Sequence, residues 1–353
     1  MRVVHMDSGL GNQMLDYAEY LAIRKSNPDG EFYVETLIYE LPGNQDGMIS
    51  QWNGYELERV FGINLPMLKD KLGADAWKRV IDKTEKSEFW NHGWNYAPVI
   101  TEAINEEGYQ LTNLQKNSRQ NIIQEQAGKK KTFRKLLTVF FQTAPGYHLK
   151  RIMKLQLQDR LIAAENEKYN VFQKYPEDTF VGHSFAFKYM GFGIEKIDKE
   201  LRESFKFPPI EDSQNADAMK EILSCNAVAI HARRGDMLSY NGYCYRYGFF
   251  RRAVHYIKRH VTDPVFFFFC DENSRGWCEE NEKIFGLNFQ KDSIRFVTWN
   301  AGKDSFRDMQ LMAACRHNIF TESTFGFWGA YLNENPEKIT CAPDPTILAT
   351  NWF

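Results

Sequence analysis

Residues 229–238 read AIHARRGDML. With Ala227 and Val228 they begin as AVAIHA, an apolar run with the length and branched side chains of a buried strand. Two arginines, Arg233 and Arg234, and an aspartate, Asp236, follow at once. A guanidinium stays charged at any working pH and donates paired hydrogen bonds to phosphate or carboxylate. An arginine pair at a strand end therefore calls for an anion. Neighbouring side chains on an extended chain point to opposite faces, so only one of the two can reach a given ligand. The other is expected to pack below, paired with Asp236 or another carboxylate. The competing reading is a structural salt-bridge cluster.

Working outward from this strand, apolar runs and amphipathic stretches alternate. GFFRRAVHYIKRH reads as a helix, VFFFFC as a fully buried strand and SRGWCEENEKIF as a helix. IRFVT (strand), DSFRDMQLMAACR (helix), NIFT (strand), STFGFWGAYLNE (helix) and KITCA (strand) complete the series. Strand and helix alternating over short connections predict an α/β fold with a parallel sheet covered on both faces. Ligands on such sheets bind at the carboxyl ends of the strands. HARRGD stands at one such end; TESTFG spans another and the helix after it.

The N-terminal end repeats the pattern. RVVHM reads as a strand, DSGLGN as a loop and QMLDYAEYLAIRK as a helix with Asn12 at its N-cap. EFYVETLIYE reads as a second strand. The 353 residues exceed what one core usually spans. Phe205–Asp217, with two prolines and several polar residues, reads as a linker. The expected domains are residues 1–210, carrying a helical insertion at about 110–165, and 218–353.

Three loops suit an anion: HARRGD, the strand-to-helix turn Ser8–Asn12 with Gly9 and Gly11, and Ser323–Thr324 at a helix start. Glycines allow close backbone approach, and a helix N-terminus offers N–H groups and a positive dipole. Plain turns and helix caps are the competing readings. The chain contains no Asp-x-Asp and no His-x-His or Cys/His cluster with metal spacing. No metal site and no cofactor are expected; arginine and backbone donors would neutralise a departing phosphate.

Composition bounds the rest. The formal net charge is -2, with 43% hydrophobic and 25% charged residues, as in an ordinary globular protein. The six cysteines form no C-x-x-C pair and read as buried free thiols of a reducing compartment. The start of the chain lacks a signal-peptide core and no run reaches membrane-spanning length, which predicts a cytoplasmic protein. Lys129–Lys154 carries eight basic residues and no acid. A solvated helical surface is one reading; peripheral contact with the inner face of a membrane, or with a lipid-linked phosphate, is the other. No nucleic-acid motif accompanies the patch.

Several segments together resemble one family. SGLGNQM, HARRGD, DSFRDMQLMAACRHNI and STFGFWGAYLN occur in the order found in glycosyltransferase family 11, the α-1,2-fucosyltransferases that use GDP-L-fucose. GYELERVFGI (Gly54–Ile63) and VGHSFAFKYM are similar to further family segments. The resemblance implies a GT-B-like fold, two Rossmann-type domains facing a central cleft. It implies inverting, metal-independent transfer of fucose from GDP-β-L-fucose to the 2-hydroxyl of a galactoside in a surface glycan or lipid-linked oligosaccharide.

By that resemblance Arg233 holds the diphosphate, with His231 beside it and Asp236 in the same donor loop. Asp308 reads the guanine, and Ser323 and Thr324 lie near the phosphates. Gly9, Gly11 and Asn12 face the sugar-phosphate junction. The chain departs from the family pattern at Ser8, where a glycine is usual, at Leu15 and Asp16, and at Gly326–Trp328, where Ser-Trp-Trp is usual. Asp7, Asp16, Glu19 and Glu322 are the candidate general bases. Transfer from another nucleotide sugar such as GDP-mannose, or non-catalytic phosphosugar or glycan binding, are the alternatives.

Overall fold

The computed structural model describes residues 1–41, 49–114, 137–168, 170–182, 193–232, 234, 238–347 and 351–352. The chain divides into two compact units. The first comprises Met1–Phe140, Tyr169–Phe187 and Phe192–Phe205; the second comprises Phe141–Lys168, Lys188–Gly191 and Lys206–Phe353. Both are α/β with a parallel sheet, as the alternation predicts.

In the first unit, strands β1 (Arg2–His5), β2 (Phe32–Glu35), β3 (Thr112–Asn113) and β4 (Thr179–Val181) run parallel in the order β2-β1-β4-β3. Helix α1 (Leu10–Ser26) links β1 to β2. Helices α2 (Ala74–Lys86) and α3 (Tyr96–Glu106) cover a core that includes Trp77, Val80, Ile100, Ile104 and Phe180. The expected second strand is shorter than its apolar content suggests. It ends at Glu35, whose carboxylate accepts the Leu37 N–H, and Leu37–Glu40 turns into a 3-10 helix.

The second unit carries β5 (Asn226–His231), β6 (Pro264–Phe269), β7 (Ser293–Val297), β8 (His317–Phe320), β9 (Thr340–Ala342) and β10 (Asn351–Trp352). All six are parallel, in the order β10-β9-β8-β5-β6-β7. Read from β7, this is the 3-2-1-4-5-6 order of a doubly wound dinucleotide fold. Phe266–Phe269 of β6 are essentially inaccessible, because a central parallel strand is buried on both faces. Each such phenylalanine contributes about 1.5–3 kcal/mol of hydrophobic stabilisation.

Helices α4 (Ala144–Gln156) and α5 (Gln158–Lys168) lie in the segment expected to belong to the first domain. Both belong to the second unit instead. Lys154 pairs with Asp344, and Tyr147 stacks on Tyr247 at 4.7 Å and 24°. Sequence position alone does not report such long-range pairs. Next come α6 (Ser213–Ser224), α7 (Leu238–Arg246), α8 (Phe249–His260), α9 (Glu272–Glu280), α10 (Phe306–Ala314) and α11 (Thr324–Leu332).

Neither α7 nor β10 is apparent in the sequence. The glycine and aromatic content of α7 disguises a helix that forms because Cys244 and Tyr245 are buried. The expected helix SRGWCEENEKIF breaks at Asn281, which donates to the Trp277 carbonyl, and resumes as a turn at Glu282–Phe285. The six cysteines are free thiols, all buried except the half-buried Cys225. No described helix is long and apolar enough to cross a membrane.

Candidate active site

The strand order of the second unit locates its ligand crevice. β5 pairs with β6 on one side and β8 on the other, so the winding reverses between β5 and β8. In such sheets ligands bind outside the carboxyl ends of the strands at this reversal. The segment after β5 is HARRGD; the segment after β8 is Thr321–Ser323. Among the described residues, His231 and Ala232 of the first motif and Thr321–Ser323 of the second lie at the same end of two adjacent strands.

Local packing explains how they are held. His231, the last residue of β5, is buried at 6% exposure. A Cβ at Gly326 would come within 2.7 Å of His231 Nδ1 and 2.8 Å of Phe320 Cβ. Only glycine lets the first turn of α11 lie this close to the ends of β5 and β8. The Phe325 ring lies 5.8 Å from the His231 ring. Asn241 of α7, fully buried, donates to Thr321 Oγ1 at 3.3 Å. Ser323 occupies the N-cap of α11, yet its hydroxyl makes no capping bond. The capping role proposed as its plain alternative is not the one it plays. The first-turn amides of a helix have no intrahelical acceptors, so this end suits an anion.

Of the arginine pair, Arg234 is among the described residues. The Arg234 guanidinium lies 3.2 Å from the centroid of the Trp277 ring on α9 and 5.7 Å from that of Tyr245. It packs on aromatic faces, a cation–π contact that a planar guanidinium makes well. Arg233 and Asp236 lie outside the described residues.

Asp308, in the first turn of α10, is half-buried beyond the end of β7. Asn300 Nδ2 donates to its Oδ1 at 2.7 Å. Asn300 and Asn215 exchange amide hydrogen bonds at 2.9 Å in both directions. Trp299 Nε1 donates to Asn215 Oδ1 at 3.0 Å, and Asn215 Nδ2 donates to Asp212 Oδ2 at 3.0 Å. Burial pushes the Asp308 carboxyl up to about 7, against the opposing bond from Asn300. The sequence reading named Asp308 but missed Asn215, Trp299 and Asn300. Asp212 and Asn215 form a recognisable cap of α6, but nothing local shows that the same asparagine reaches across to Asn300.

In the first unit, β1 sits between β2 and β4, so its loop also lies at a reversal of strand order. Ser8 adopts φ +65°, the left-handed region that explains why glycine is usual there. Its hydroxyl donates to Asp7 Oδ1 at 2.7 Å. Its carbonyl accepts from Tyr39 OH at 2.8 Å and from Gln13 Nε2 at 3.0 Å. Gly9, not Asn12, is the N-cap of α1. The helix starts earlier because the Ser8 turn already aims Gly9 into it. Gly11 and Asn12 lie in the first turn, and the Asn12 N–H donates to the Gly9 carbonyl at 2.9 Å.

Beneath this loop is a cluster absent from the sequence reading. His5 Nδ1 lies 2.5 Å from Glu35 Oε2 and Nε2 lies 3.6 Å from Asp7 Oδ2, with Tyr96 stacked at 4.1 Å. Burial pulls the His5 pKa down, but the Glu35 charge and bonds to both carboxylates outweigh it and raise it to about 10. An imidazolium thus bridges two buried carboxylates. The only sequence signal is a histidine in an apolar strand three residues after the start of β1.

These contacts sort the candidate bases. Asp7, Asp16 and Glu19 are 4%, 1% and 2% exposed. Glu322 is half-buried and lines an open pocket of about 520 Å³. Among the described residues, no group of three or more His, Cys, Asp or Glu side chains could hold a metal ion.

A family model, described as glycosyl transferase family 11, matches residues 75–346. The chain belongs to glycosyl transferase family 11. The match includes all the second-unit motifs and begins after the β1–α1 loop. Among family 11 relatives, an alpha-1,2-colitosyltransferase from Escherichia coli is 31% identical over 163 residues, 44% of this chain and 50% of that protein. A galactoside alpha-(1,2)-fucosyltransferase 1 from Saimiri sciureus is 32% identical over 110 residues, 30% of this chain and 28% of that protein. The chain thus spans half or less of the length of these curated relatives in the matched regions. Among solved structures, NodZ alpha-1,6-fucosyltransferase soaked with GDP-fucose is similar at a TM-score of 0.44 and 11% identity, covering 94% of this chain and 91% of that one.

Proposed function

We propose that this family 11 chain transfers L-fucose from GDP-β-L-fucose to the 2-hydroxyl of a galactoside, with inversion and without a metal. The acceptor is a surface glycan or lipid-linked oligosaccharide. The observation that carries this reading is the reversal point of the second sheet, where the end of β5 at His231 packs against the first turn of α11 at Gly326. Two anion-ready elements at one crevice suit a diphosphate better than a structural salt bridge.

In this reading Arg233 and the hydroxyls of Ser323 and Thr324 bind the diphosphate, with His231 and Asp236 in the same donor site. Negative charge grows on the β-phosphate as the glycosyl bond breaks, and a fixed guanidinium stabilises it more in the transition state than in the ground state. Asp308, in its ionised form, accepts N–H bonds from the guanine edge. Gly9, Gly11 and Asn12 approach the sugar-phosphate junction. Glu322, the base candidate that opens onto a pocket, takes the proton of the acceptor hydroxyl. The enzyme works in the cytoplasm, and the basic surface on Lys129–Lys154 touches the inner face of the membrane. Only Lys150, Arg151 and Lys154 of that segment's basic residues are described.

The E. coli relative named for colitosyl transfer supports a second reading, in which the donor carries another sugar. Incubation with GDP-fucose and, separately, GDP-mannose against a panel of β-galactosides tests both, with product linkage read by NMR. The expected product is an α-1,2-fucosylgalactoside formed equally well in excess EDTA. Transfer only from another nucleotide sugar, or loss of activity to the chelator, would overturn the proposal.

A further inference from the structure

Helix α4 has two faces of opposite character. At 100° per residue, Tyr147, Lys150, Arg151 and Lys154 fall on one side and Leu149, Ile152 and Met153 on the other. The apolar side is 45–48% exposed. The polar side lines the pocket of about 520 Å³ within the second unit. Across it stand Arg246 at the end of α7 and Tyr247 just after it, and the segments after β8 and β9 contribute Glu322 and Asp344.

Basic side chains outnumber acidic ones in this pocket: Lys150, Arg151, Lys154 and Arg246 against Glu322 and Asp344. Lys154 is taken by Asp344. Among the described residues, neither Lys150 nor Arg246 has a carboxylate at ion-pair distance. Behind the wall lies a further guanidinium, Arg252. Its charge is disfavoured first by burial and then by Arg151. His148 is held below its ordinary pKa first by partial burial and then by Arg252, Arg151 and Arg251. Gathering like charges at a partly buried site costs energy that a bound anion would offset. The stacked Tyr147 and Tyr247 rings add a flat apolar wall suited to a sugar face.

The pocket is separate from the donor loops but adjacent to them, since Glu322 stands between Thr321 and Ser323. We propose that it is an acceptor subsite for a phosphate-bearing glycan, in which Lys150, Arg151 and Arg246 hold the phosphate or diphosphate and the tyrosine rings hold a sugar. This rests on the transferase reading above and adds to it the chemical class of the acceptor. Three cations around one cavity favour a multiply charged phosphate over a single carboxylate.

Two measurements on the full chain test this. The first is calorimetric titration of inorganic pyrophosphate into protein saturated with GDP. One binding event is expected, weakened roughly tenfold or more by Lys150→Gln with Arg246→Gln, as for loss of charge-assisted bonds. Both side chains are exposed, so the variant is expected to fold, and an unchanged melting curve checks this. No binding once GDP is present, or binding indifferent to the variant, overturns the proposal.

The second compares acceptors. The ratio of KM for a neutral methyl β-galactoside to that for a galactoside with a methyl diphosphate aglycone is expected to exceed roughly ten. It should fall toward one in the variant. A preference that appears only with a long alkyl diphosphate traces to the exposed face of α4, not to the pocket, and overturns the proposal. Pyrophosphate binding that persists while no galactoside accepts fucose would sink the fucosyl reading and leave the anion site standing.

Discussion

Arg233 and Arg234 are adjacent in sequence, and the proposed function gives them different duties. Arg234 is spent on the rings of Trp277 in α9 and Tyr245 in α7. Arg234→Ala is therefore expected to lower stability by about 1–2 kcal/mol, read as a shifted denaturation midpoint, because a largely desolvated cation–π contact is lost. Arg233→Ala is expected to melt like the parent while transfer falls by roughly a hundredfold or more, the usual effect of removing one transition-state donor. If the two variants exchange these phenotypes, the division is the reverse of the one described.

Asp308 makes a pH-dependent prediction at the same scale. Its carboxyl is raised to about 7 from an ordinary 3.8 by burial. The protonated form therefore prevails below 7 and the ionised form above it. In the proposed donor site the guanine N–H donors need the ionised form, so the KM for donor is expected to fall as pH rises from 6 to 8. Asp308→Asn should flatten that profile and raise the KM throughout. The sign for stability is opposite. A raised carboxyl pKa favours the fold at low pH, and that contribution fades as pH rises from about 4 through 7.

The elements meet through close approaches that a single methyl group can disturb. Gly326 lets α11 sit against His231 and Phe320 at distances no Cβ tolerates. Gly326→Ala is expected to push the helix N-terminus off the end of β5 and to cost about 1–3 kcal/mol, as overpacking does. Because Ser323 and Thr324 move with the helix, kcat should fall along with stability. Unchanged thermal melting together with full activity would mean the contact has slack. The Ser8 turn governs α1 in a comparable way. A left-handed residue there starts the helix one turn earlier than Asn12 would.

The whole molecule consists of two parallel-sheet units, of which the second carries the better-defined crevice. A ligand that binds only the folded crevice stabilises it by RT ln(1 + [L]/Kd), about 2.7 kcal/mol at a hundredfold excess over Kd. GDP is accordingly expected to raise the melting temperature of the chain, and UDP to do so far less, with Asp308→Asn removing the difference. Equal shifts from both nucleotides would leave the Asp308 cluster without its base-reading role.

Read alone, the sequence determined the alternation of strand and helix and the two α/β halves, and it singled out three loops as candidate anion sites. Each depends on local periodicity, turn residues and charge placed within a few positions of one another. It also predicted that one arginine of the pair would be withdrawn inward, because neighbouring side chains diverge. Only the tertiary structure decided that Arg234 packs on Trp277, that β5 and β8 flank the reversal of strand order, and that α4 belongs to the second unit. The same holds for the Asn215–Asn300–Asp308 network, the His5–Glu35 pair and the basic pocket. In all of these the partners are far apart in the chain, and their energies depend on burial and distance, which no local pattern encodes.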